Sequence, residues 1–128
     1  MPHQRSSRRP LLIVESDRAL LDRLARHFSA RGFAVTAVHH PRQALASATR
    51  QRFDRAVVGR SLPEFDGVRL AGKLKRMMGR LRLVMLSDLE DPALRDEAYE
   101  SGVDAYLPKA CRLTELEDSL RPASVEAN

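Results

Sequence analysis

Four short apolar runs, each closed by polar or turn-forming residues, alternate with segments whose apolar positions recur every three or four residues. Leu11-Leu12-Ile13-Val14 is continuously apolar, which is how a strand covered on both faces reads. Ala34 to Val38, Ala56 to Val58 and Leu81 to Leu86 are further strand-like runs. Between them, Leu20, Leu21, Leu24 and Phe28 give a first helix an apolar stripe, with Arg18, Arg23, Arg26 and His27 on its outer face and Gly32 at its end. Pro41 suits the first turn of a second helix that turns Ala44, Leu45 and Ala48 inward. A third helix is predicted from about Gly67 to Met78, burying Val68, Leu70, Ala71, Leu74 and Met78. A fourth starts at Pro92, with Leu94 and Ala98 toward the sheet, and Leu113, Leu116 and Leu120 mark a last one.

The run at Ala56 stops at Gly59 and opens into a polar loop carrying Pro63 and Gly67. Ligands and reacting groups of open α/β sheets gather at the carboxyl ends of the strands. Position 59 is therefore central, and it has no side chain.

The chain has 128 residues, enough for one domain with a real core, and 43% of them are apolar. No apolar run reaches the 18 or so residues of a membrane span, and the N-terminus lacks the apolar core of a signal peptide. A soluble, cytoplasmic protein is expected, with no membrane association. The single cysteine, Cys111, rules out an internal disulfide and reads as a small packing residue. The adjacent pair His39 and His40 has no third ligand nearby in sequence, so it reads as ordinary loop residues. No metal site and no cofactor are expected.

Charge is unevenly spread. Residues 1 to 82 carry 18 Lys/Arg and 6 Asp/Glu, a net of +12, whereas residues 83 to 128 carry 4 and 11, a net of −7. Such a dipolar chain suits oppositely charged partners, including a second copy of itself. The densest basic cluster, Lys73, Lys75, Arg76, Arg80 and Arg82, has the electrostatic character of a nucleic-acid patch. No aromatic residue interleaves these charges and no helix-turn-helix or zinc-finger pattern accompanies them, which argues against nucleic-acid binding through this domain.

Four landmarks together give a resemblance to the receiver domains of bacterial response regulators, over roughly residues 10 to 121. They are Glu15 after the first strand, Leu62-Pro63-Glu64-Phe65-Asp66-Gly67 after the third, Ser87 after the fourth, and Tyr106-Leu107-Pro108-Lys109 at the fifth. With strands and helices alternating five times, the expected architecture is a doubly wound five-stranded parallel sheet in the order 2-1-3-4-5, the flavodoxin-like receiver fold. Residues 1–10, with Arg5, Arg8 and Arg9, are expected to be a disordered basic arm, residues 11–121 the receiver-like domain, and residues 122–128 a tail or linker stub.

The resemblance implies an acidic pair after the first strand that holds magnesium, a phospho-accepting aspartate at the end of the third, a lysine that pairs with it, a hydroxyl that follows the phosphoryl group, and an aromatic residue that changes rotamer. Here Glu15 keeps the first acid, Ser16 stands where the metal-ligating acid belongs, and Gly59 stands at the acceptor position. Ser87, Tyr106 and Lys109 match the rest. Asp17 reads as a helix cap, and Ala110 replaces the family's proline after the lysine, so a trans bond is expected there. Lys109 is expected to reach across to Glu15, and also toward Asp88.

The expected function is that of an atypical, non-enzymatic receiver in two-component or phosphorelay signalling, acting through protein–protein contacts without phosphorylation. The partner is another signalling protein or a second copy in a homodimer, and the acidic Glu97, Glu100, Asp104, Glu115 and Asp118 mark the contact face. Three alternatives stand beside this: a regulatory N-terminal domain of a longer DNA-binding regulator, a receiver that still accepts phosphate, and nucleic-acid binding through the basic end of the third helix.

Overall fold

The computed structural model describes residues 9–121. Strands β1 (Arg9–Val14), β2 (Phe33–Val38), β3 (Arg55–Gly59), β4 (Arg82–Ser87) and β5 (Ala105–Pro108) alternate with helices α1 (Arg18–Ala30), α2 (Pro41–Arg50), α3 (Gly67–Met77), α4 (Pro92–Glu100) and α5 (Leu113–Ser119). The strands form one parallel sheet in the order β2-β1-β3-β4-β5, as the alternation predicts.

Strand side chains point to opposite faces in turn, and this splits the core in two. Leu12 and Val14 join Ala56, Val58, Leu83 and Met85 under Ala44 of α2, Leu70, Ala71 and Leu74 of α3, and Ala98 of α4. Leu11 and Ile13 join Val57, Val84 and Leu86 under Leu24 and Phe28 of α1 and Leu116 of α5. Each fully buried Leu or Phe contributes about 1.5–3 kcal/mol by leaving water. With both faces covered, the continuous apolar reading of β1 follows.

Helix starts are set by side chains that satisfy free backbone N–H groups. Asp17 Oδ1 accepts from Ala19 N at 3.0 Å and Leu20 N at 3.2 Å. Asp66 accepts from Arg69 N at 3.0 Å, and Asp91 from Ala93 N at 2.9 Å. His40 does the same for α2, its Nδ1 accepting from Arg42 N at 3.2 Å. His39 instead contacts Arg18 Nη2 through Nε2 at 3.0 Å, so the two adjacent histidines serve different neighbours.

Some boundaries differ from those expected. Residues 9 and 10 belong to β1 rather than to a disordered arm: Pro10 pairs with Ala34, and the Arg9 guanidinium lies 5.1 Å from the Phe33 ring centroid. The expectations for residues 1–8 and 122–128 lie outside the described residues. Helix α3 ends at Met77, and Met78 follows it as a buried cap residue. Among the described residues, no helix is long and apolar enough to cross a membrane.

Candidate functional site

Parallel register brings the carboxyl ends of β1, β3, β4 and β5 to one edge. Val14 pairs with Val58, Gly59 with Leu86, and Ser87 with Pro108. The residues just past the strand ends are pinned as well, with Glu15 N donating to Val38 O at 3.1 Å and Lys109 N to Ser87 O at 2.9 Å. Glu15, Gly59, Ser87 and Lys109 are therefore gathered by backbone geometry alone.

Glu15 is the centre of this edge. It is 1% exposed, and its Oε2 accepts from Lys109 Nζ at 2.9 Å and from Asp17 N at 2.9 Å. Its other oxygen, Oε1, is buried with no hydrogen-bond partner among the described residues. That atom lies over Gly59: a Cβ added at position 59 would sit 2.4 Å from it, well inside contact distance. The glutamate carboxylate thus occupies the space a side chain at 59 would enter. Asp88 is exposed and makes no bond to Lys109, so among the described residues the lysine's carboxylate partner is Glu15.

The loop after β3 folds tightly back on this edge. Gly67 N donates to Arg60 O at 2.7 Å, and a Cβ at 67 would come within 2.1 Å of the Gly59 carbonyl oxygen, so only glycine allows the approach. Glu64 adopts φ 71° as the centre of a three-residue turn closed by Phe65 N to Pro63 O at 2.8 Å. Its carboxylate is held by the Arg42 guanidinium from α2.

Ser87 is buried, but its hydroxyl closes on its own loop, accepting from Leu89 N at 3.0 Å and donating to Leu89 O at 3.2 Å. Ser16 is exposed and donates to Ser61 O at 2.9 Å. The half-buried ring of Tyr106 packs on the α2–α4 side of the core, and its hydroxyl is buried without a partner among the described residues. Tyr106 borders a cavity of about 20 Å³ with Ser87, Leu89, Arg95 and Pro108. The bond before Ala110 is trans. Burial, and after it the charge of Glu115, pushes the Cys111 thiol up from its ordinary value, which keeps it protonated near neutrality.

This sheet order, with its chemistry-bearing residues on the carboxyl edge, is the flavodoxin-like receiver fold. The family model of the response regulator receiver domain matches residues 11–121, and the chain belongs to that family. The transcriptional activator protein PfeR of Pseudomonas aeruginosa is 36% identical over 107 residues, covering 84% of this chain and 35% of PfeR. The response regulator MprA of Mycobacterium avium is 30% identical over 106 residues, covering 83% of this chain and 46% of MprA. The chain thus spans less than half the length of these curated relatives. A response regulator from Burkholderia pseudomallei, solved with a phosphorylated aspartic acid, superposes with a TM-score of 0.85 at 24% identity, covering 93% of this chain and 70% of that one. A receiver domain protein from Methanospirillum hungatei gives 0.83 at 23%, covering 88% and 90%.

Magnesium, which the family implies, does not fit the residues present. The ion needs several oxygen ligands in near-octahedral order. Glu15 already holds an ammonium at 2.9 Å, the Asp17 carboxylate caps α1, the Ser16 hydroxyl is spent on Ser61, and position 59 offers no oxygen from a side chain.

The charged residues expected on two surfaces are divided differently by the structure. Asp104 is exposed but engaged: its Oδ2 accepts from Lys75 Nζ at 2.9 Å and from Leu83 N at 2.8 Å, tying α3 and β4 to the start of β5. Glu97 is engaged by Arg60 Nη2 at 3.0 Å, and Asp118 by Arg121 Nη1 at 3.5 Å, leaving Glu100 and Glu115 exposed and without an ion-pair partner among the described residues. Of the basic cluster, Lys75 is held by Asp104, and Arg82 Nε donates to Ser119 O at 2.8 Å. Lys73, Arg76 and Arg80 remain. Arg55, which the sequence reading passed over, is buried with its Nε on Leu120 O at 2.9 Å, so two arginines satisfy carbonyls at the end of α5. Asp104→Ala should lower stability by about 1–3 kcal/mol, because it strands the Leu83 N–H and leaves the Lys75 ammonium with the Leu81 carbonyl in place of a carboxylate; a urea midpoint unchanged from the parent chain would refute the tie.

Proposed function

We propose that this chain is a receiver that signals without phosphorylation, as a cytoplasmic protein–protein interaction module. The observation that carries this reading is the Glu15 carboxylate lying against Gly59, with Oε1 2.4 Å from where a Cβ would stand. Phosphoryl transfer to a receiver needs a nucleophilic carboxylate at the strand end, a metal to neutralise the phosphoryl oxygens and a free lysine. Position 59 supplies no carboxylate, the metal ligands are committed elsewhere, and Lys109 is neutralised by Glu15. The ion pair between β1 and β5 then does structurally what a phosphoryl group would do on demand. It holds this end of the sheet in one arrangement.

Contact with partners falls to the surface. The exposed Glu100 and Glu115 with the half-engaged Glu97 and Asp118 make an acidic face on α4 and α5 that suits a basic partner. A second reading is supported by the relatives' names: PfeR is a transcriptional activator, and this chain matches only 35% of it, so the receiver here would be the regulatory part of a DNA-binding regulator.

Intact mass after incubation with acetyl phosphate and magnesium tests the first reading, together with amide shifts on adding beryllofluoride. The expected result is no phosphoryl adduct and no shift clustered at Ser87, Tyr106 and Lys109. An adduct mapped to any side chain of this edge would overturn it.

A further inference from the structure

The large apolar side chains exposed among the described residues are Met77 at 43%, Leu89 at 52% and Tyr99 at 45%, and their surroundings are opposite in charge. Met77 closes an open groove of about 470 Å³ between α2 and α3, lined by Leu45, Thr49, Lys73 and Arg76. No acid lines it, and neither Lys73 nor Arg76 has a carboxylate partner among the described residues. Lys73, Arg76 and Met77 stand at i, i+3 and i+4, so they share one face of α3.

On α4 the pattern recurs with the charge inverted. Asp96, Tyr99 and Glu100 stand at i, i+3 and i+4, all exposed, and Leu89, Glu90 and Asp91 precede the helix. Arg95, the one cation of α4, borders the Ser87–Tyr106 cavity, and Glu97 is taken by Arg60. Each helix therefore offers two unpaired charges of one sign around one exposed apolar side chain.

We propose that a second copy of this chain docks the Asp96–Tyr99–Glu100 face of its α4 into the α2–α3 groove, head to tail. Tyr99 meets Met77 and the rim of Leu45, while Asp96 and Glu100 face Lys73 and Arg76. A buried apolar pair inside a charged rim is the anatomy of a specific but small interface. The contact joins different surfaces of the two copies, so it is heterologous and leaves a free groove at one end and a free α4 at the other. It rests on the protein-interaction reading, to which it adds the partner and the second surface.

Sedimentation velocity on the full chain tests this, from about 10 to about 500 µM, a range suited to a small interface. At about 0.05 M salt the weight-average mass should climb past that of a dimer as concentration rises, and about 0.5 M salt should reverse it. Lys73→Ser with Arg76→Ser and Met77→Ser should weaken association by roughly tenfold or more, and so should Asp96→Asn with Tyr99→Ser and Glu100→Gln. Each variant keeps one intact surface, so an equimolar mixture should form a one-to-one dimer and nothing larger. These positions lie on the surface, and circular dichroism of each variant should match the parent.

A chain that stays monomeric throughout overturns the proposal, as does association that disappears on nuclease treatment, which would give the groove to nucleic acid. If only the α4 variant weakens association, the acidic contact face stands and the groove assignment falls. Phosphodonor inertness is read separately by mass, so failure here leaves that result untouched.

Discussion

Gly59→Asp should destabilise the protein by about 2–4 kcal/mol, the combined range for forcing atoms into a packed site and for disturbing a buried ion pair. The new Cβ would meet Glu15 Oε1, the end of a side chain that must turn aside, and turning aside takes the carboxylate away from Lys109 Nζ and Asp17 N. Two carboxylates would then compete for one ammonium. At a typical urea slope, the midpoint should fall by about 1–2 M. The converse is as informative. Adding Glu15→Ala to Gly59→Asp removes the overlap and leaves the aspartate to take Lys109. The double variant should then recover at least about 1 kcal/mol relative to the sum of the single changes. A Gly59→Asp protein as stable as the parent would show that residue 59 and Glu15 do not share this space.

Lys109→Met should remove about 3–5 kcal/mol, the usual consequence of leaving one member of a buried pair alone. The asymmetry of the site sharpens this expectation. Lys109 keeps 20% of its side chain in solvent, whereas Glu15 is sealed and one of its oxygens is already without a partner. Taking away the cation leaves a buried carboxylate held by a single backbone N–H, from Asp17 at 2.9 Å. Glu15→Gln, by contrast, keeps the volume and the acceptor while removing the charge, and Lys109 can turn toward water; about 1–2 kcal/mol is expected. Replacing both, Glu15→Leu with Lys109→Met, should bring stability back close to the parent value, since a buried pair exchanged whole for apolar side chains is often neutral. Chemical denaturation of the three proteins under one set of conditions decides the order. If Lys109→Met proves the mildest of the three, the pair is not the element that closes this edge.

The two experiments bear on how the receiver fold persists here with glycine at residue 59. In this structure the glutamate after β1 lies over Gly59 and the lysine after β5 pairs with it. The loop after β3 holds its tight geometry through Gly67, which lies against the Gly59 carbonyl, and through Asp66 and Glu64.

By itself the sequence determined the helix faces and the cap at Asp17, because these are local, and the five-fold alternation with the receiver-like landmarks carried the sheet order. A continuous run such as Leu11 to Val14 can be covered only on both faces, an apolar stripe at helical spacing must face inward, and Asp17 satisfies N–H groups two and three residues away, whereas the caps at Asp66 and Asp91 came from the structure. It also brought Lys109 to Glu15 across 94 residues, since parallel strands carry both to the same edge. Only the tertiary structure decided where charges and volumes meet. Counting acids and bases along the chain placed Asp104 on a contact surface and Lys75 and Arg82 in a basic patch, yet side-chain reach across neighbouring elements pairs Asp104 with Lys75 and turns Arg82 onto the end of α5. In the same way, glycine at 59 reads in sequence as a missing group, whereas in three dimensions the space is taken by Glu15, because a packed interior closes over any volume that a neighbouring side chain can reach.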